Sequence, residues 1–344
     1  MLKVFIRLLA AILVLGLLAG GYFYYKVLDP KVIASSEPGV FIEIPHGSRF
    51  ADVEAQLKDK GLLKDPATFQ LLAQRMGYVR APMRSGRFEI KPGTTLIDLI
   101  RQLRNGPQAP VNVILTTERE PENIAAKVAR FIEPDSLQLV TLFQNESYLD
   151  SIGFTKETFM TLFIPNSYEF FWNTQPRGFV ERMLKENKLF WSKDQRSQKA
   201  EKLGLSHQEV YTLASIVEKE TLRNDEKQRM AGVYYNRLQI GMPLQADPTA
   251  VFASRDFATP RVTNYHLGID SPYNTYKYAG LPPGPIAMPA ISSIDAVLNL
   301  ENHDYLYFCA VGDGSGYHNF AQTLPAHNRN AAIYRDNLVK RGKR

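Results

Sequence analysis

Cysteine is almost absent from this sequence and histidine is scarce: one cysteine, Cys309, and six histidines are spread over 344 residues. A single thiol excludes an internal disulfide framework, a cysteine-based zinc site and an iron–sulfur cluster. His318 and His327 lie nine residues apart without an acidic ligand pattern, which favours structural hydrogen bonding over metal binding. We therefore expect neither a metal site nor a cofactor.

Long blocks of like charge are also missing. Lys and Arg total 41 and Asp and Glu total 35, which gives a formal net charge of +6. This mild excess suits a polyanion or a membrane surface, and no run of five or six like charges indicates a nucleic-acid partner. With 44% hydrophobic and 11% aromatic residues, the chain is neither disordered nor collagen-like, and its length allows two domains.

One long hydrophobic run stands near the N-terminus. Leu8 to Tyr25 is uncharged, and as a helix it would extend about 27 Å, close to the thickness of the hydrocarbon core of a bilayer. Lys3 and Arg7 precede it and outweigh the basic residues that follow. The positive-inside rule then places the N-terminus in the cytoplasm and the remaining chain on the periplasmic side of the inner membrane.

A cleaved signal peptide is the alternative interpretation. The string Leu17-Leu-Ala-Gly20 is only a weak cleavage site, and the apolar run exceeds the usual length of a signal-peptide core. We favour an uncleaved single-pass anchor over residues 1–26. A linker rich in Pro, Ser and Gly follows at 27–40.

Residues 41–108 predict a small compact module. Phe41–Ile44 and Arg87–Ile90 alternate as strands do, and two helical patterns lie between them. Thr95 with Asp98 opens a third helix that ends at Gly106. The β-α-α-β order resembles a LysM-like module, a fold often found holding the glycan of bacterial cell walls. A small packing domain that spaces the next domain from the membrane is the alternative.

Residues 109–344 predict a larger mixed α+β domain, which makes the fold class α+β overall. A strand is expected at 111–116, mainly helices from 118 to about 208, loops and short strands afterwards, and a helix at about 326–339.

Ser206 and Glu209 form a capping-box signature for a helix with an apolar stripe. Glu218 lies at the margin of that stripe, where partial burial would raise a carboxyl pKa as a general acid requires. Glu220 is about 200° further around the helix, so the two carboxylates cannot face one bond. This argues against a paired-carboxylate glycosidase built from this helix alone.

Six ordered strings extend from this helix towards the C-terminus. They are Leu213-Ala-Ser-Ile-Val-Glu-Lys-Glu-Thr221, Asn236-Arg-Leu238 with Gly241-Met242, Leu244-Gln-Ala-Asp-Pro-Thr249, Ser271-Pro-Tyr-Asn-Thr-Tyr276, Gly280-Leu-Pro-Pro-Gly284 and Tyr305-Leu-Tyr-Phe308, followed by His318, Phe320 and His327-Asn328. In these strings and their order the sequence resembles the YceG-like family, the endolytic murein transglycosylases.

The resemblance implies a catalytic residue and a reaction. The family's acid/base is placed at the first Glu of the Ile-Val-Glu-Lys-Glu-Thr string, here Glu218. It would cleave the β-1,4 bond between N-acetylmuramic acid and N-acetylglucosamine without water, leaving a 1,6-anhydro end and so terminating a nascent peptidoglycan strand. One carboxyl can serve both proton transfers because the substrate supplies the nucleophile. The implied partners are glycan strands, the membrane and the peptidoglycan synthases (penicillin-binding proteins).

Other motif residues are candidates for holding the glycan: Asn236, Gln245, Asp247, Tyr273, Asn274 and Thr275. Asn, Tyr and Asp also commonly fix turns and loops, so a structural role is the alternative for each. Two other functions stay open. One is a hydrolytic glycosidase with Glu218 as acid and Asp247 or another carboxylate as base, and the other is a non-catalytic peptidoglycan-binding scaffold in which Glu218 is structural.

Overall fold

The computed structural model describes residues 2–25, 39–259 and 261–342, so the predicted linker at 27–40 lies almost wholly outside the described residues. The chain divides into two compact units. The first comprises Met1–Asn112, Phe131–Pro134 and Glu169–Gln175, and the second comprises the remaining residues.

Helix α1 (Leu2–Phe23) carries the hydrophobic run. Within the described part of the chain it is the one helix long and apolar enough to cross a membrane, over Lys3–Phe23, and no part of it is buried by protein. Its length and composition are compatible with the predicted anchor. The orientation of the anchor stays a prediction.

The first unit has the predicted element order: β1 (Val40–Ile44), α2 (Phe50–Asp59), α3 (Pro66–Arg75), β2 (Gly86–Ile90) and α4 (Leu96–Asn105). The two strands are antiparallel, with Ile42 opposite Phe88. The Thr95 hydroxyl caps α4 by accepting a hydrogen bond from the Asp98 amide at 3.2 Å. The β-α-α-β-α order is thus confirmed, and the likeness to a LysM module stays a prediction.

The core of this unit follows the two sequence periods. Alternate strand residues and one stripe of each helix point inward, as residues spaced by 2 and by 3 to 4 positions must. The buried set includes Ile42, Ile44, Phe88 and Ile90 from the strands, and Val53, Leu57, Phe69, Ala73, Leu99 and Leu103 from the helices.

The second unit is mainly helical. Its helices are α5 (Pro121–Val128), α6 (Ser136–Phe143), α7 (Glu146–Ser151), α8 (Pro176–Ser192), α9 (Arg196–Lys202), α10 (His207–Glu220), α11 (Lys227–Gln239), α12 (Asp247–Ser254), α13 (Asn264–Gly268), α14 (Ile291–Leu298) and α15 (Leu324–Lys340), with a 3₁₀ turn at Phe159–Leu162.

The remaining strands are short. They are β3 (Pro110–Leu115), β4 (Asn166–Phe171), β5 (Tyr307–Ala310) and β6 (His318–Ala321), and β5 pairs antiparallel with β6 so that Phe308 faces Phe320. The region 118–208 was predicted to be mainly helical, and this is confirmed except for β4. There the string Asn-Ser-Tyr-Glu-Phe-Phe buries only Tyr168 and Phe170, the two-residue period of a strand.

Helix α10 lies at the centre of the second unit. The predicted capping box is present: the Ser206 amide donates to the Glu209 carboxylate at 2.7 Å, and the Ser206 hydroxyl accepts from the Glu209 amide at 3.2 Å. Helices α9, α11, α12 and α14 pack around it. Every residue from 210 to 217 is therefore buried, and not only the predicted apolar stripe.

Gly284 offers a test of how tightly its segment packs against the backbone of Glu157. A methyl group on this glycine would collide with the backbone carbonyl of Glu157, which cannot rotate away as a side chain can. We expect Gly284→Ala to destabilise the protein by about 2 kcal/mol, the usual cost of overpacking. Thermal unfolding of the full-length chain in detergent measures this, with Gly268→Ala as the control because it opens onto empty space. Equal unfolding temperatures for the two variants would contradict the packing described.

Candidate active site

The end of α10 holds two carboxylates that point to different surroundings. Glu218 faces inward, where its Oε2 accepts hydrogen bonds from Lys227 Nζ at 3.0 Å, Ser293 Oγ at 2.5 Å and the Ala290 amide at 3.4 Å. The Lys227 side chain is only 5% exposed and that of Glu218 16%. This nearly enclosed ion pair joins α10 to the first residue of α11 and to the segment that opens α14.

The enclosure leaves Glu218 poorly placed to meet a sugar. It is not among the residues that line the three clefts described below. Three donors converge on Oε2, and within the described part of the chain no hydrogen bond reaches Oε1. This ion pair with a nearly buried ammonium group connects α10 to α11, a contact that suits a structural or positioning role.

Glu220, the last residue of α10, has the opposite environment. Its Oε1 accepts a hydrogen bond from the Tyr234 hydroxyl at 2.7 Å. Burial raises the pKa of Glu220 from 4.5 to about 7; the charge of Asp247 acts in the same direction, and the Tyr234 hydrogen bond and Arg237 oppose the rise. A carboxyl that titrates near pH 7 can both donate and accept a proton at neutral pH.

Glu220 and Asp247 together line two clefts. The first, of about 420 Å³, continues past Arg119, Phe252 and Phe257. The second, of about 310 Å³, is lined on its far side by Arg237, Gln245, Tyr276, Tyr307 and His327. The Glu220 carboxyl therefore lies at the boundary between the two clefts.

A third cleft, of about 440 Å³, adjoins the first. It shares Arg119 and Phe252 with the first cleft and includes Tyr273. The Tyr273 ring lies 4.7 Å from the Phe252 ring, centroid to centroid. The first cleft thus adjoins both the second and the third, and we call the three the row of clefts.

Two further predicted binding residues, Gln245 and Asp247, border the same clefts as Glu220. Gln245 adopts a left-handed backbone conformation with φ +50°, and its backbone amide donates to the Thr275 carbonyl at 3.1 Å. Asp247 accepts a hydrogen bond from the Tyr276 hydroxyl at 2.6 Å. The motif strings around 244–249 and 271–276 thus meet at the Glu220 carboxyl.

The other predicted binding residues use their polar groups on the protein itself. The Asn236 amide donates to the His303 and Tyr305 carbonyls. The fully buried Asn274 amide donates to the carbonyls of 266, 267 and 269. The buried Thr275 hydroxyl accepts from the Ala246 amide at 3.0 Å. These contacts favour the structural alternative for Asn236, Asn274 and Thr275.

Several residues of the site were absent from the predictions. Glu220, Tyr276 and Arg237 lie inside the motif strings, but no sequence rule separates a cleft-lining residue from a buried one within a string. The one available signal was the angle around α10, which required that Glu218 and Glu220 face different surroundings.

Potential metal ligands are not gathered at the site. Among residues 2–25, 39–259 and 261–342, no three His, Cys, Asp or Glu side chains come together as a metal site would require. His318 Nδ1 lies 3.0 Å from Glu226 Oε2 as part of a buried pair. His327 stacks on Tyr307 beside the second cleft.

The sequence model of the YceG-like family matches residues 42–333. That span contains most of the chain and every cleft residue named above. The chain belongs to the YceG-like family.

Individual relatives agree with this assignment. An "Endolytic murein transglycosylase" of Bacillus subtilis (strain 168) is 31% identical over 91% of this YceG-like chain and 89% of its own length. One of Streptococcus pneumoniae (strain ATCC BAA-255 / R6) is 29% identical over 91% of this chain, which spans 62% of that relative. A crystal structure titled as a YceG-like protein from Listeria monocytogenes superposes with a TM-score of 0.56 at 26% identity, covering 86% of this chain and 99% of the other.

Replacement of each of the two carboxylates of α10 by Gln should have opposite effects on the stability of the protein. Between pH 4.5 and about 7, folded Glu220 retains a proton that the unfolded chain has lost, so its contribution to stability falls as pH rises through that window. At pH 8 we expect Glu220→Gln to be more stable than wild type by about 1–2 kcal/mol, and the gain to vanish near pH 4.5. Glu218→Gln leaves Lys227 buried without a counter-charge and should cost roughly 3 kcal/mol.

Calorimetric unfolding temperatures of both variants and wild type, measured from pH 4.5 to 8.5, check these expectations. A Glu220→Gln gain that does not change with pH would contradict the raised pKa of Glu220.

Substitutions at Asn274 and Gln245 should distinguish a residue that stabilises the fold from a residue that binds the glycan. Asn274→Ala removes the partner of one buried and two partly buried carbonyls and should lower stability by about 2 kcal/mol. Gln245→Ala removes a cleft side chain while its backbone contacts remain, so it should leave the unfolding temperature nearly unchanged and weaken glycan binding. Calorimetry and co-sedimentation with insoluble peptidoglycan measure the two effects. A Gln245→Ala variant as unstable as Asn274→Ala would contradict this division.

Proposed function

We propose that this chain is an endolytic lytic transglycosylase that cleaves the β-1,4 bond between N-acetylmuramic acid and N-acetylglucosamine and leaves a 1,6-anhydro end. Relatives named endolytic murein transglycosylase align over 91% of the chain, which supports a lyase of the lytic transglycosylase class. The observation that carries the proposal is the Glu220 carboxyl, with a pKa of about 7, at the junction of two clefts.

The proposal assigns Glu220 to the first proton transfer. The Tyr234 hydroxyl occupies Oε1, and no hydrogen bond of the described residues engages Oε2, so Oε2 is free to carry the proton. Protonated Glu220 donates this proton to the glycosidic oxygen as the bond from that oxygen to the muramic acid C1 breaks. The Asp247 carboxylate at the same junction favours the positive charge that develops on the sugar ring.

The same carboxyl completes the reaction. Glu220, now an anion, accepts the proton of the muramic acid C6 hydroxyl, and O6 forms a bond to C1, which closes the 1,6-anhydro ring. The nucleophile belongs to the same sugar, so its high effective molarity favours ring closure over attack by water. No second catalytic carboxylate is then needed on α10.

The motif resemblance assigned the acid/base to Glu218, and the geometry favours Glu220. In the proposal Glu218 is a positioning residue: its ion pair with Lys227 and its bond to Ser293 hold the end of α10 and thereby the Glu220 side chain. Gln245 and Asp247 bind sugar hydroxyl or acetamido groups in the clefts beside Glu220, and Tyr273 provides a ring surface further along the row.

The proposal also includes a cellular setting. Helix α1 anchors the chain in the inner membrane with the catalytic unit outside the cytoplasm, where glycan strands are polymerised. A cutter held there would end nascent strands, and peptidoglycan synthases are the partners that this position favours.

The two Gln variants test the acid/base assignment. Full-length wild type should release fragments with 1,6-anhydromuramic ends from peptidoglycan, identified by mass spectrometry as lighter by one water than reducing ends. Glu220→Gln should lower this rate by about 10³-fold, the usual scale of a lost general acid. Glu218→Gln, assayed below its unfolding temperature, should retain more activity than Glu220→Gln. The reverse order would return the acid/base role to Glu218.

Hydrolysis is the second candidate, because Glu220 and Asp247 border the same clefts and could act as acid and base towards water. Its products carry reducing ends and no anhydro ring. A digest of reducing-end products only would favour hydrolysis. A non-catalytic scaffold would give no product while wild type and Glu220→Gln bound peptidoglycan equally.

A further inference from the structure

The first cleft carries three cationic side chains, Arg119, Lys219 and Arg261, all exposed at its surface. Within residues 39–259 and 261–342, none of the three forms an ion pair with an Asp or Glu side chain. We call these three residues the cationic wall. Its charges are unpaired although the carboxyls of Glu220 and Asp247 line the same cleft.

The two carboxyls are instead held by tyrosines. Tyr234 donates to Glu220 and Tyr276 donates to Asp247. The cationic wall therefore forms no ion pair with Glu220 or Asp247, and its positive charges remain available to a ligand.

The cations also repel one another. Although Lys219 is exposed at the surface, partial burial of its side chain lowers its pKa; the positive charge of Arg119 lowers the pKa further, while Glu218 opposes both effects. Two like charges held close together without an intervening anion cost free energy that a bound anion recovers. The Arg119 guanidinium lies 3.9 Å from the Phe257 ring centroid, and stacking on the ring leaves its N–H edges free to bind a carboxylate in a bidentate manner.

The second cleft, on the other side of Glu220, differs in this respect. Its cation, Arg237, is 7% exposed and donates to the carbonyls of Leu306, Pro243 and Leu244. Of these two clefts, only the first therefore carries exposed cationic side chains that form no ion pair with the described residues. Such an asymmetry fits a substrate that carries a negative group on one of the two sugars flanking the cleaved bond.

We propose that the cationic wall binds a carboxylate of the stem peptide on the muramic acid residue whose bond is cleaved. Muramic acid bears this peptide through its lactyl ether, whereas N-acetylglucosamine is uncharged. The inference rests on the proposed function and adds a specificity: glycan strands that retain their peptides are preferred over strands that have lost them. It also sets the direction of the strand, with the muramic acid beside the first cleft.

Selectivity for peptide-bearing strands is the quantity to measure. The full-length chain in detergent is assayed on glycan strands with stem peptides and on the same strands after an amidase has removed the peptides. We expect wild type to prefer the peptide-bearing strands in kcat/KM by at least about tenfold, the scale of one charge-assisted hydrogen bond, mainly through KM. The preference should fall as salt rises.

The variant with Arg119→Gln, Lys219→Gln and Arg261→Gln should lose most of this preference. The matched control replaces the exposed lysines 188, 193 and 202, outside the clefts, by Gln; it has the same net charge and should retain the preference. Unchanged selectivity in the cationic-wall variant would overturn the proposal. Equal loss in the control would do the same, because net charge alone would then explain the effect.

Two further arms identify the anion and separate this inference from the proposed function. Strands that keep a lipid-linked pyrophosphate but lack peptides test the other source of negative charge, and a preference that follows the pyrophosphate would overturn the stem-peptide assignment. Binding of a muramoyl-peptide disaccharide and of its peptide-free counterpart to Glu220→Gln is measured by fluorescence anisotropy. This readout needs no cleavage, so it tests the cationic wall even if wild type forms no anhydro product.

Discussion

The enclosed ion pair between Glu218 and Lys227 is the contact on which the geometry of the site depends. It fixes the last turn of α10 against α11 and α14, and Glu220 lies one half-turn beyond it on the other side of the helix. Because Glu218 is held from inside the unit, the Glu220 side chain is presented to the clefts from a rigid element. The proposed proton transfer from Glu220 to one glycosidic oxygen requires this precision.

Burial and hydrogen bonding give the two carboxylates different chemistry although two residues separate them. A buried ammonium group and two further donors surround Glu218, whereas Glu220 has one phenol, a neighbouring carboxylate and solvent-filled clefts. The first set of neighbours ties Glu218 to the protein, whereas burial raises the pKa of Glu220 to about 7. The short string Glu-Lys-Glu thus supplies three different groups: Glu218 in a nearly buried ion pair, Lys219 exposed at the surface, and Glu220 with a raised pKa.

The polar residues of the strings in the last third differ in what they contact. Thr275 binds the backbone of the loop that carries Gln245 and Asp247, whereas Asn274 binds the carbonyls of the segment 266–269. Tyr276, from the same string, reaches the cleft and contacts Asp247. Which residues of a loop turn inward depends on the contacts of the folded unit: the consecutive Asn274 and Thr275 are both buried, and a string of letters does not show this.

The sequence by itself determined the elements: the apolar helix at the N-terminus, the β-α-α-β-α order of the first unit, and a capped α10 ending in two carboxylates that face apart. Those features follow from local periodicity, capping and turn chemistry, which act over a few residues. Only the tertiary structure decided that residues 210–217 of α10 are buried on all faces of the helix. It also decided that Lys227 forms an ion pair with Glu218, and that Glu220 and Asp247 line the same two clefts. Those contacts join segments tens of residues apart, and desolvation, which sets the pKa of Glu220, exists only once the surrounding helices have packed.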